Sequence, residues 1–297
     1  MYMNKKPSKL IGFIGLGIMG KPMVKNLLKH NYSINFFARK KTVIKEIKKL
    51  GGTYCSSIEE VADTAKIIIT NLPNSNDVKN IILGRDGLIK KLNQGTIIID
   101  MSTISPKITK SIHDKLKRKK IYLIDAPVSG GEIGAINGSL SIMVGGEKHI
   151  FNKIKSILQI LGNKITYIGK SGSGQITKIC NQILVAQTMI GVSEILLIAK
   201  KNGCNQKLVQ KALLGGFAYS KILEIHGERM IINNYKPGFK ASLHFKDLDI
   251  AKKLVSMNKL SLSGTKLAYT LMDKVIKNKL NNKDSSIINK IIKDMNK

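Results

Sequence analysis

Residues 12–23 read GFIGLGIMGKPM, and three of the glycines have the spacing GxGxxG. Apolar branched residues predict a strand over Leu10–Leu16, and the pattern after the glycines predicts a helix over Pro22–His30. In this context the glycines permit a tight turn and let the backbone approach a pyrophosphate, which the helix N-terminus stabilises. A lone GxGxxG is a weak signal, so the alternative is an incidental glycine-rich turn. The candidate cofactor-binding residues of the turn are Gly15, Leu16, Gly17, Ile18, Met19 and Gly20.

The end of the second predicted strand, Ile34–Ala38, bears on which dinucleotide binds. An acidic residue at this position hydrogen-bonds the free ribose hydroxyls of NAD. This chain instead reads FFARKK, with Ala38 and Arg39 at the position and no acidic residue before Glu46. Because an arginine suits a 2′-phosphate, the sequence favours NADP over NAD. The alternative is that these basic residues are ordinary surface cations.

The first half of the chain alternates branched-apolar runs with helical patterns, which is typical of a parallel sheet covered by helices. The other predicted strands are Ile34–Ala38, Ile67–Asn71, Thr96–Asp100, Tyr122–Asp125, Ser141–Val144 and Thr166–Ile168. The other predicted helices of this half are Val43–Leu50, Pro106–Lys117 and His149–Leu161. From about Gly172 every substantial segment has helical periodicity. We therefore predict an α/β fold, with a Rossmann-type dinucleotide-binding domain at residues 1–172 joined by a long helix to an all-helical domain at residues 173–297.

Two predicted strands end in loops of small polar residues and a proline, TNLPNS at 70–75 and DMSTISP at 100–106. Ligands of such folds bind at the carboxyl ends of the strands. Leu72, Pro73 and Thr103 are therefore candidate cofactor-binding residues. Each loop taken alone is equally consistent with an ordinary connection.

The segment at 124–146 is rich in glycine and small residues, which argues against a packing element. Ser129, Gly130 and Gly131 place a hydroxyl and two backbone N–H groups after a strand, an arrangement suited to a carboxylate. A glycine-bearing turn without a ligand explains the same residues equally well.

A lysine stands among apolar neighbours in QITKICNQI (175–183), at the start of a long predicted helix. Helical spacing places Lys178, Asn181 and Gln182 on one face. A lysine desolvated at a domain junction beside a cofactor gives up a proton readily, which suits general acid catalysis. Asn181 would hold the lysine or a substrate oxygen, and Cys180, off this face, is predicted to be a small core residue.

The formal charge of +31 raises nucleic acid or an anionic membrane as a partner. Only four basic residues are arginine, the lysines are spread along the chain, and no zinc-finger, RNP or basic-zipper pattern accompanies them. We therefore interpret the charge as solvated surface, with no specific nucleic-acid site.

The remaining composition predicts a protein of a reducing compartment without a metal. The three cysteines are widely spaced without a CxxC pair, and the histidines have no ligand spacing, so neither a disulfide nor a metal site is predicted. The apolar stretch Ile183–Ala199 is interrupted by polar residues, which favours a buried helix over a membrane span. No signal-peptide core precedes the first strand, so we expect a cytoplasmic protein.

Four motifs together resemble the β-hydroxyacid dehydrogenases, the family that includes 3-hydroxyisobutyrate dehydrogenase and tartronate semialdehyde reductase. They are GFIGLGIMGKPM (12–23), DAPVSGG (125–131), GQITKICNQ (174–182) and KPGFKASLHFKDLDIA (236–251). The resemblance spans nearly the whole chain with the motifs in the family's order. The longer strings, such as IGLGIMGKPM and SLSIMVGG, are most similar to the tartronate semialdehyde reductase branch.

The resemblance implies roles for single residues. Lys178 would protonate the carbonyl oxygen as hydride arrives from the nicotinamide, and Asn181 would orient the substrate beside it. Ser129, Gly130 and Gly131 would bind the substrate carboxylate. Lys246 would reach the cofactor, with Pro73 and Thr103 lining the nicotinamide side.

The expected activity is reduction of tartronate semialdehyde (2-hydroxy-3-oxopropanoate) to D-glycerate, with NADP preferred to NAD. The alternatives are 3-hydroxyisobutyrate dehydrogenase or a related short β-hydroxyacid or semialdehyde reductase, and an inactive homologue that binds polyanions. The expected partners are a small hydroxy or oxo acid and further copies of the chain, in a dimer or tetramer. Ala38 departs from the acidic residue of the NAD-using family members and puts NAD preference in doubt.

Overall fold

The structure, a computed structural model, describes residues 10–297. It divides into two compact units, of which the first ends at Lys178 and the second covers Ile179–Lys297. Within residues 10–178 the first unit forms one sheet of nine strands. These are β1 (Leu10–Ile14), β2 (Ser33–Phe37), β3 (Thr53–Tyr54), β4 (Ile67–Thr70), β5 (Ile97–Asp100), β6 (Tyr122–Asp125), β7 (Val128–Ser129), β8 (Ser141–Gly145) and β9 (Lys164–Gly169).

Six strands run parallel in the order β3-β2-β1-β4-β5-β6, which is the strand order of a Rossmann fold. Strand β8 continues the sheet antiparallel to β6, and it pairs with β7 and β9. The register aligns Ile14 with Phe37 and with Thr70, Thr70 with Asp100, and Asp100 with Asp125. The carboxyl ends of five neighbouring strands therefore lie side by side at one edge of the sheet.

Helices cover both faces of this sheet because successive strand residues point to opposite sides. In β5, Ile97 and Ile99 belong to one buried apolar cluster and Ile98 to another. Helix α7 shows why the helices pack here, since its buried residues recur at helical spacing, as at Ile150, Ile154 and Leu158. The helices of the first unit are α1 (Gly20–Lys29), α2 (Lys41–Lys49), α3 (Ile58–Thr64), α4 (Ser75–Leu83), α5 (Pro106–Lys117), α6 (Gly131–Asn137) and α7 (Lys148–Leu161).

The long helix α8 (Ser173–Lys201) begins in the first unit and continues into the second, which is helical. The second unit also contains α9 (Gln206–Leu214), a π-helical turn at Leu223–Gly227, α10 (Glu228–Ile231), α11 (Ala241–Met257), α12 (Ser263–Lys277) and α13 (Ile288–Asp294). Its core contains Met189, Leu196, Leu248 and Met272. By length and composition α8 could cross a membrane, with a mean hydropathy of 1.7, but the core helix of a soluble protein meets the same criterion.

The structure confirms the predicted α/β class, with a Rossmann-type parallel sheet followed by a helical part. Several element bounds were wrong: β1 ends at Ile14 because Gly15 leaves the strand with φ +102°. Two short strands, β3 and β7, and three helices, α3, α4 and α6, were not predicted. The glycine-rich segment also packs, since α6 lies against α1 and the Ala135 carbonyl accepts a hydrogen bond of 2.8 Å from Asn26. The domain boundary at residue 172 stays a prediction.

Candidate active site

The three glycines of the turn between β1 and α1 differ in what surrounds them. Gly15 has φ +102°, and a Cβ on it would overlap the carbonyl oxygen of Asn71. A Cβ on Gly20 would overlap the carbonyl oxygen of Gly15. A Cβ on Gly17, in contrast, would meet nothing within 4 Å, so packing within the described residues does not explain this glycine. Two glycines thus shape the turn and the third leaves its outer side open, which fits a bound pyrophosphate.

The residues after β2 lie beside this turn, because Ile14 and Phe37 are paired at the ends of adjacent parallel strands. Arg39 is exposed and Ala38 half-buried. Glu46 forms ion pairs with two lysines, since its carboxylate lies 3.2 Å from Lys21 Nζ and 2.6 Å from Lys25 Nζ. Hydrogen bonds from those lysines lower the pKa of Glu46. The chain after β2 therefore presents basic side chains, and Glu46, the first acidic residue that follows, is paired with two lysines.

A buried hydrogen-bonded network connects the loops after β4 and β5. Asp100 Oδ1 accepts hydrogen bonds from Thr70 Oγ1 at 2.9 Å and from Ser102 Oγ at 2.6 Å. Ser102 Oγ in turn accepts the backbone N–H of Leu72 at 2.8 Å. Leu72 and Thr103, two of the predicted cofactor residues, thus belong to loops fixed by one network, and Pro73 follows Leu72 on the exposed side.

Two carboxylates stand at the ends of β5 and β6, and both are buried. Burial raises the pKa of Asp100 to about 6, against the hydrogen bonds from Ser102 and Thr70, and the nearby Asp125 raises it further. Burial also raises the pKa of Asp125, opposed by hydrogen bonds from the backbone N–H groups of Gly172 and Gln175. Neither carboxylate was singled out from the sequence, although both predicted strands ended in aspartate.

Lys178 lies in the second turn of α8, with only 7% of its surface exposed. Asp125 accepts a hydrogen bond of 3.0 Å from the backbone N–H of Gln175 in the first turn of this helix. Gln182 is buried, Asn181 is half-buried, and the two side chains are hydrogen-bonded at 2.8 Å. Cys180 is exposed, so the prediction of a core residue was wrong. Its position four residues from both Ile176 and Leu184 places it on the exposed stripe of the helix.

The segment predicted to bind a carboxylate follows the short strand β7. Ser129 pairs with Ser141 of β8 and is half-buried. Gly130 and Gly131 have φ of +131° and +63°, conformations that favour glycine. A Cβ on Gly131 would meet nothing within 4 Å, so this glycine also borders open space. The backbone here is thus bent sharply, with a hydroxyl and exposed peptide groups adjacent.

In the second unit one buried carboxylate connects several of the polar side chains. Asp247 Oδ2 accepts a hydrogen bond of 2.6 Å from Gln182 Nε2, and its Oδ1 lies 3.0 Å from Lys246 Nζ. His244 of the same helix approaches the Gln182 carbonyl oxygen at 3.1 Å. Lys246 was a predicted cofactor contact, whereas Asp247 was not among the predicted site residues, because no motif spacing indicates its contact with Gln182.

Within the first unit, the structure brings together the glycine turn, Arg39, Leu72 and Thr103 at the carboxyl edge of the sheet. Asn181 and Lys246 belong to the second unit, where Gln182 and Asp247 connect them. Among residues 10–297 no group of three or more His, Cys, Asp or Glu side chains is placed to hold a metal ion.

Two family models together match nearly all of the described chain. Residues 10–169 match the model for the NAD binding domain of 6-phosphogluconate dehydrogenase. Residues 172–292 match the model for the NAD-binding region of NADP-dependent 3-hydroxyisobutyrate dehydrogenase.

Individual proteins are similar to this chain over most of its length. The chain is 41% identical over 263 residues to 2-hydroxy-3-oxopropionate reductase of Escherichia coli, covering 89% of this chain and 90% of that protein. It is 35% identical to mitochondrial 3-hydroxyisobutyrate dehydrogenase of Mus musculus, covering 94% of this chain and 85% of that protein. A solved structure of Mycobacterium tuberculosis 3-hydroxyisobutyrate dehydrogenase with L-serine matches at a TM-score of 0.88 and 26% identity, covering 96% of this chain and 99% of that one.

Proposed function

This chain belongs to the β-hydroxyacid dehydrogenase family, and from that membership we propose that it reduces tartronate semialdehyde to D-glycerate, with NADPH preferred to NADH. The family membership makes it an oxidoreductase that uses a nicotinamide dinucleotide. The observation that carries the choice of substrate is the 41% identity to 2-hydroxy-3-oxopropionate reductase over 89% of the chain. We further propose a cytoplasmic homo-oligomer.

In this proposal Lys178 is the general acid. A reduced nicotinamide cofactor, when bound, would supply the hydride that the aldehyde carbon of the substrate accepts. The Lys178 ammonium donates its proton to the aldehyde oxygen, so the C=O group becomes CH₂–OH and the lysine is left as a neutral amine. Burial of the Lys178 side chain supports this role, because little water competes for the proton. The lysine regains a proton from solvent before the next turnover.

The substrate carboxylate would be bound by Ser129, Gly130 and Gly131. A hydroxyl and backbone N–H groups are suitable donors to a carboxylate, and the open space beside Gly131 leaves room for one. Asn181 would hold the substrate beside Lys178. Its hydrogen bond to Gln182 limits the rotation of its amide, which supports an orienting role.

The cofactor would be held in three places. The turn from Gly15 to Gly20 would bind the pyrophosphate, and Arg39 would bind the 2′-phosphate beside Ala38. Leu72, Pro73 and Thr103 would line the nicotinamide side. Lys246 would contact the cofactor, and its ion pair with Asp247 would fix the direction of its ammonium.

The second candidate substrate is 3-hydroxyisobutyrate or its semialdehyde. It is favoured by the 35% identity to the mouse enzyme and by the structural likeness to the mycobacterial one. Both substrates are short acids with an aldehyde or primary alcohol beta to the carboxylate, so the same lysine chemistry would serve either.

Steady-state kinetics with both semialdehydes, each with NADPH and NADH, test the proposal. We expect the highest kcat/KM with tartronate semialdehyde and NADPH. A higher kcat/KM with methylmalonate semialdehyde would show that this compound, and not tartronate semialdehyde, is the preferred substrate. Turnover of neither semialdehyde would overturn the proposed activity. Lys178→Ala is expected to keep cofactor affinity and lose most of kcat, and a near wild-type rate in that variant would remove the lysine from the mechanism.

A further inference from the structure

The start of α8 is held by the side chain of Asp125, the last residue of β6. Asp125, at the carboxyl end of β6, accepts the backbone N–H of Gly172 at 2.7 Å on Oδ1 and the backbone N–H of Gln175 at 3.0 Å on Oδ2. The first turn of α8 contains no acidic residue of its own. Asp125 therefore supplies the negative charge and the acceptors that the N-terminus of the helix lacks.

Two glycines make this close approach possible. A Cβ on Gly145 of β8 would lie 2.7 Å and 2.8 Å from the two carboxylate oxygens of Asp125. A Cβ on Gly174 would overlap the carbonyl oxygen of Met143 and lie 2.8 Å from that of Asp125. The helix thus begins in direct contact with the ends of two strands, and it cannot shift toward the sheet.

The side chain of Gln175 connects the same turn of α8 to the loop after β5. Gln175 Oε1 accepts the backbone N–H of Ile104 at 3.0 Å, and its Nε2 donates to the carbonyl oxygen of Ser102 at 2.8 Å. Gln175 is fully buried, and it spans the loop that carries Thr103. The two hydrogen bonds fix both the position of the loop and the rotation of the helix about its axis.

We propose that Asp125 and Gln175 are positioning residues for Lys178, setting where its ammonium stands relative to the loop of Thr103. Lys178 follows Gln175 by three residues, close to one helical turn, so a rotation or shift of the first turn moves the lysine by a similar distance. This inference rests on the proposed role of Lys178 as proton donor. Proton transfer depends steeply on geometry, and a misplacement of about 1 Å can cost about a hundredfold in rate.

Two near-isosteric substitutions test the inference separately. Asp125→Asn leaves one acceptor oxygen for two N–H donors and turns an NH₂ group toward one of them. Gln175→Glu places a carboxylate oxygen against the Ser102 carbonyl. In each variant we expect kcat to fall by about 10- to 100-fold, because even a misplacement of about 1 Å can cost about a hundredfold in rate. The dissociation constant of NADPH, measured by quenching of its fluorescence, should change less than twofold.

Two matched variants control for loss of stability. Asp284→Asn alters a buried carboxylate of the second unit that also accepts backbone N–H groups, here from Gly238, Phe239 and Ser286. Gln210→Glu alters a buried amide that donates to the Leu223 carbonyl at 2.8 Å. Both controls should lower Tm and leave kcat unchanged. A fall in kcat that simply follows Tm across all four variants would overturn the inference.

A double-substitution cycle separates this inference from the proposed function. If Asp125 acts through Lys178, Asp125→Asn should not slow the residual rate of Lys178→Ala any further. The pH midpoint of kcat should also move in Asp125→Asn, because a displaced lysine has different surroundings. Full activity of Lys178→Ala would end the lysine mechanism itself. If Lys178→Ala is inactive while Asp125→Asn and Gln175→Glu keep the wild-type kcat, the lysine mechanism stands and only the positioning role is overturned.

Discussion

Gln182 Nε2 donates a hydrogen bond of 2.6 Å to Asp247, and the other oxygen of this carboxylate lies 3.0 Å from the Lys246 ammonium. Asn181 Nδ2 donates to Gln182 Oε1 at 2.8 Å, so the chain of contacts runs from Asn181 to Lys246. Asp247 is only 2% exposed. One buried carboxylate in the second unit therefore holds the two residues for which we propose contacts with substrate and with cofactor.

Asp247→Ala is expected to lower the free energy of unfolding substantially. The substitution removes an ion-pair partner from Lys246 and a buried acceptor from Gln182, and such losses cost about 3 kcal/mol. Urea denaturation of the protein and its variant measures the change. Asp249→Ala, two positions along the same helix, is the matched control: its partner Lys253 is 73% exposed, so the cost should stay below about 0.5 kcal/mol. Equal losses in the two variants would contradict the role of Asp247.

Asp100 is expected to lower the free energy of unfolding as the pH rises from about 4 to about 6. Its carboxyl has a pKa of about 6 in the folded protein, raised by burial from the ordinary value of 3.8. In this interval the folded protein keeps a proton that the unfolded chain releases, so unfolding becomes easier with rising pH. This contribution to the free energy of unfolding amounts to at most about 3 kcal/mol, and it is absent above about pH 6.

Asp100→Asn tests this effect, because the amide stays uncharged at every pH. Its oxygen can still accept the hydrogen bonds of Thr70 and Ser102, so the fold should be retained. We expect a Tm that varies less between pH 4 and pH 6 than that of the wild type. Asp86→Asn, at an exposed carboxyl, should leave the wild-type profile intact. A wild-type profile in Asp100→Asn as well would show that Asp100 does not titrate there.

The sequence predicts those parts of the fold that local chemistry determines. The bounds of α5 were correct because Pro106 fixes its first turn, and β6 was predicted correctly as a short apolar run ending in Asp125. Helix α4 was missed although Asn74 caps it by accepting the N–H of Asp77, a signal that the sequence does carry. The contacts of Asp125 with Gln175 join residues 50 positions apart, and no periodicity or spacing indicates such a pairing.

Arg39→Ala is expected to reduce kcat/KM for NADPH by about tenfold or more and to change that for NADH little. An arginine that binds the 2′-phosphate contributes at least one charge-assisted hydrogen bond, and such bonds are worth about 1.5 to 3 kcal/mol. Steady-state kinetics with both cofactors at saturating substrate measure the two ratios. Arg85→Ala, at another exposed arginine of the same unit, should affect neither cofactor. If Arg39→Ala lowers kcat/KM equally for NADPH and NADH, the arginine does not bind the 2′-phosphate.

Gly17→Ala separates the role of a glycine in folding from its role in binding. A Cβ on Gly17 meets nothing within 4 Å, and its φ lies outside the left-handed region, so the protein without cofactor should keep its Tm. The methyl group would stand where the pyrophosphate has to approach the backbone. We therefore expect the dissociation constant of NADPH to rise by about tenfold or more, measured by fluorescence titration, since about 1.4 kcal/mol of lost contact is enough for that change.

Gly15 and Gly20, in contrast to Gly17, are required by the packing of the turn itself. A Cβ on Gly15 would overlap the Asn71 carbonyl, and one on Gly20 would overlap the Gly15 carbonyl, so Gly15→Ala and Gly20→Ala should lower Tm even without cofactor. Gly15→Ala carries the additional strain of a positive φ. If Gly17→Ala bound NADPH as tightly as the wild type, the pyrophosphate would have to lie elsewhere. Since Gly17 is the one glycine of the three that the described packing does not require, its substitution is the most direct test of the cofactor site.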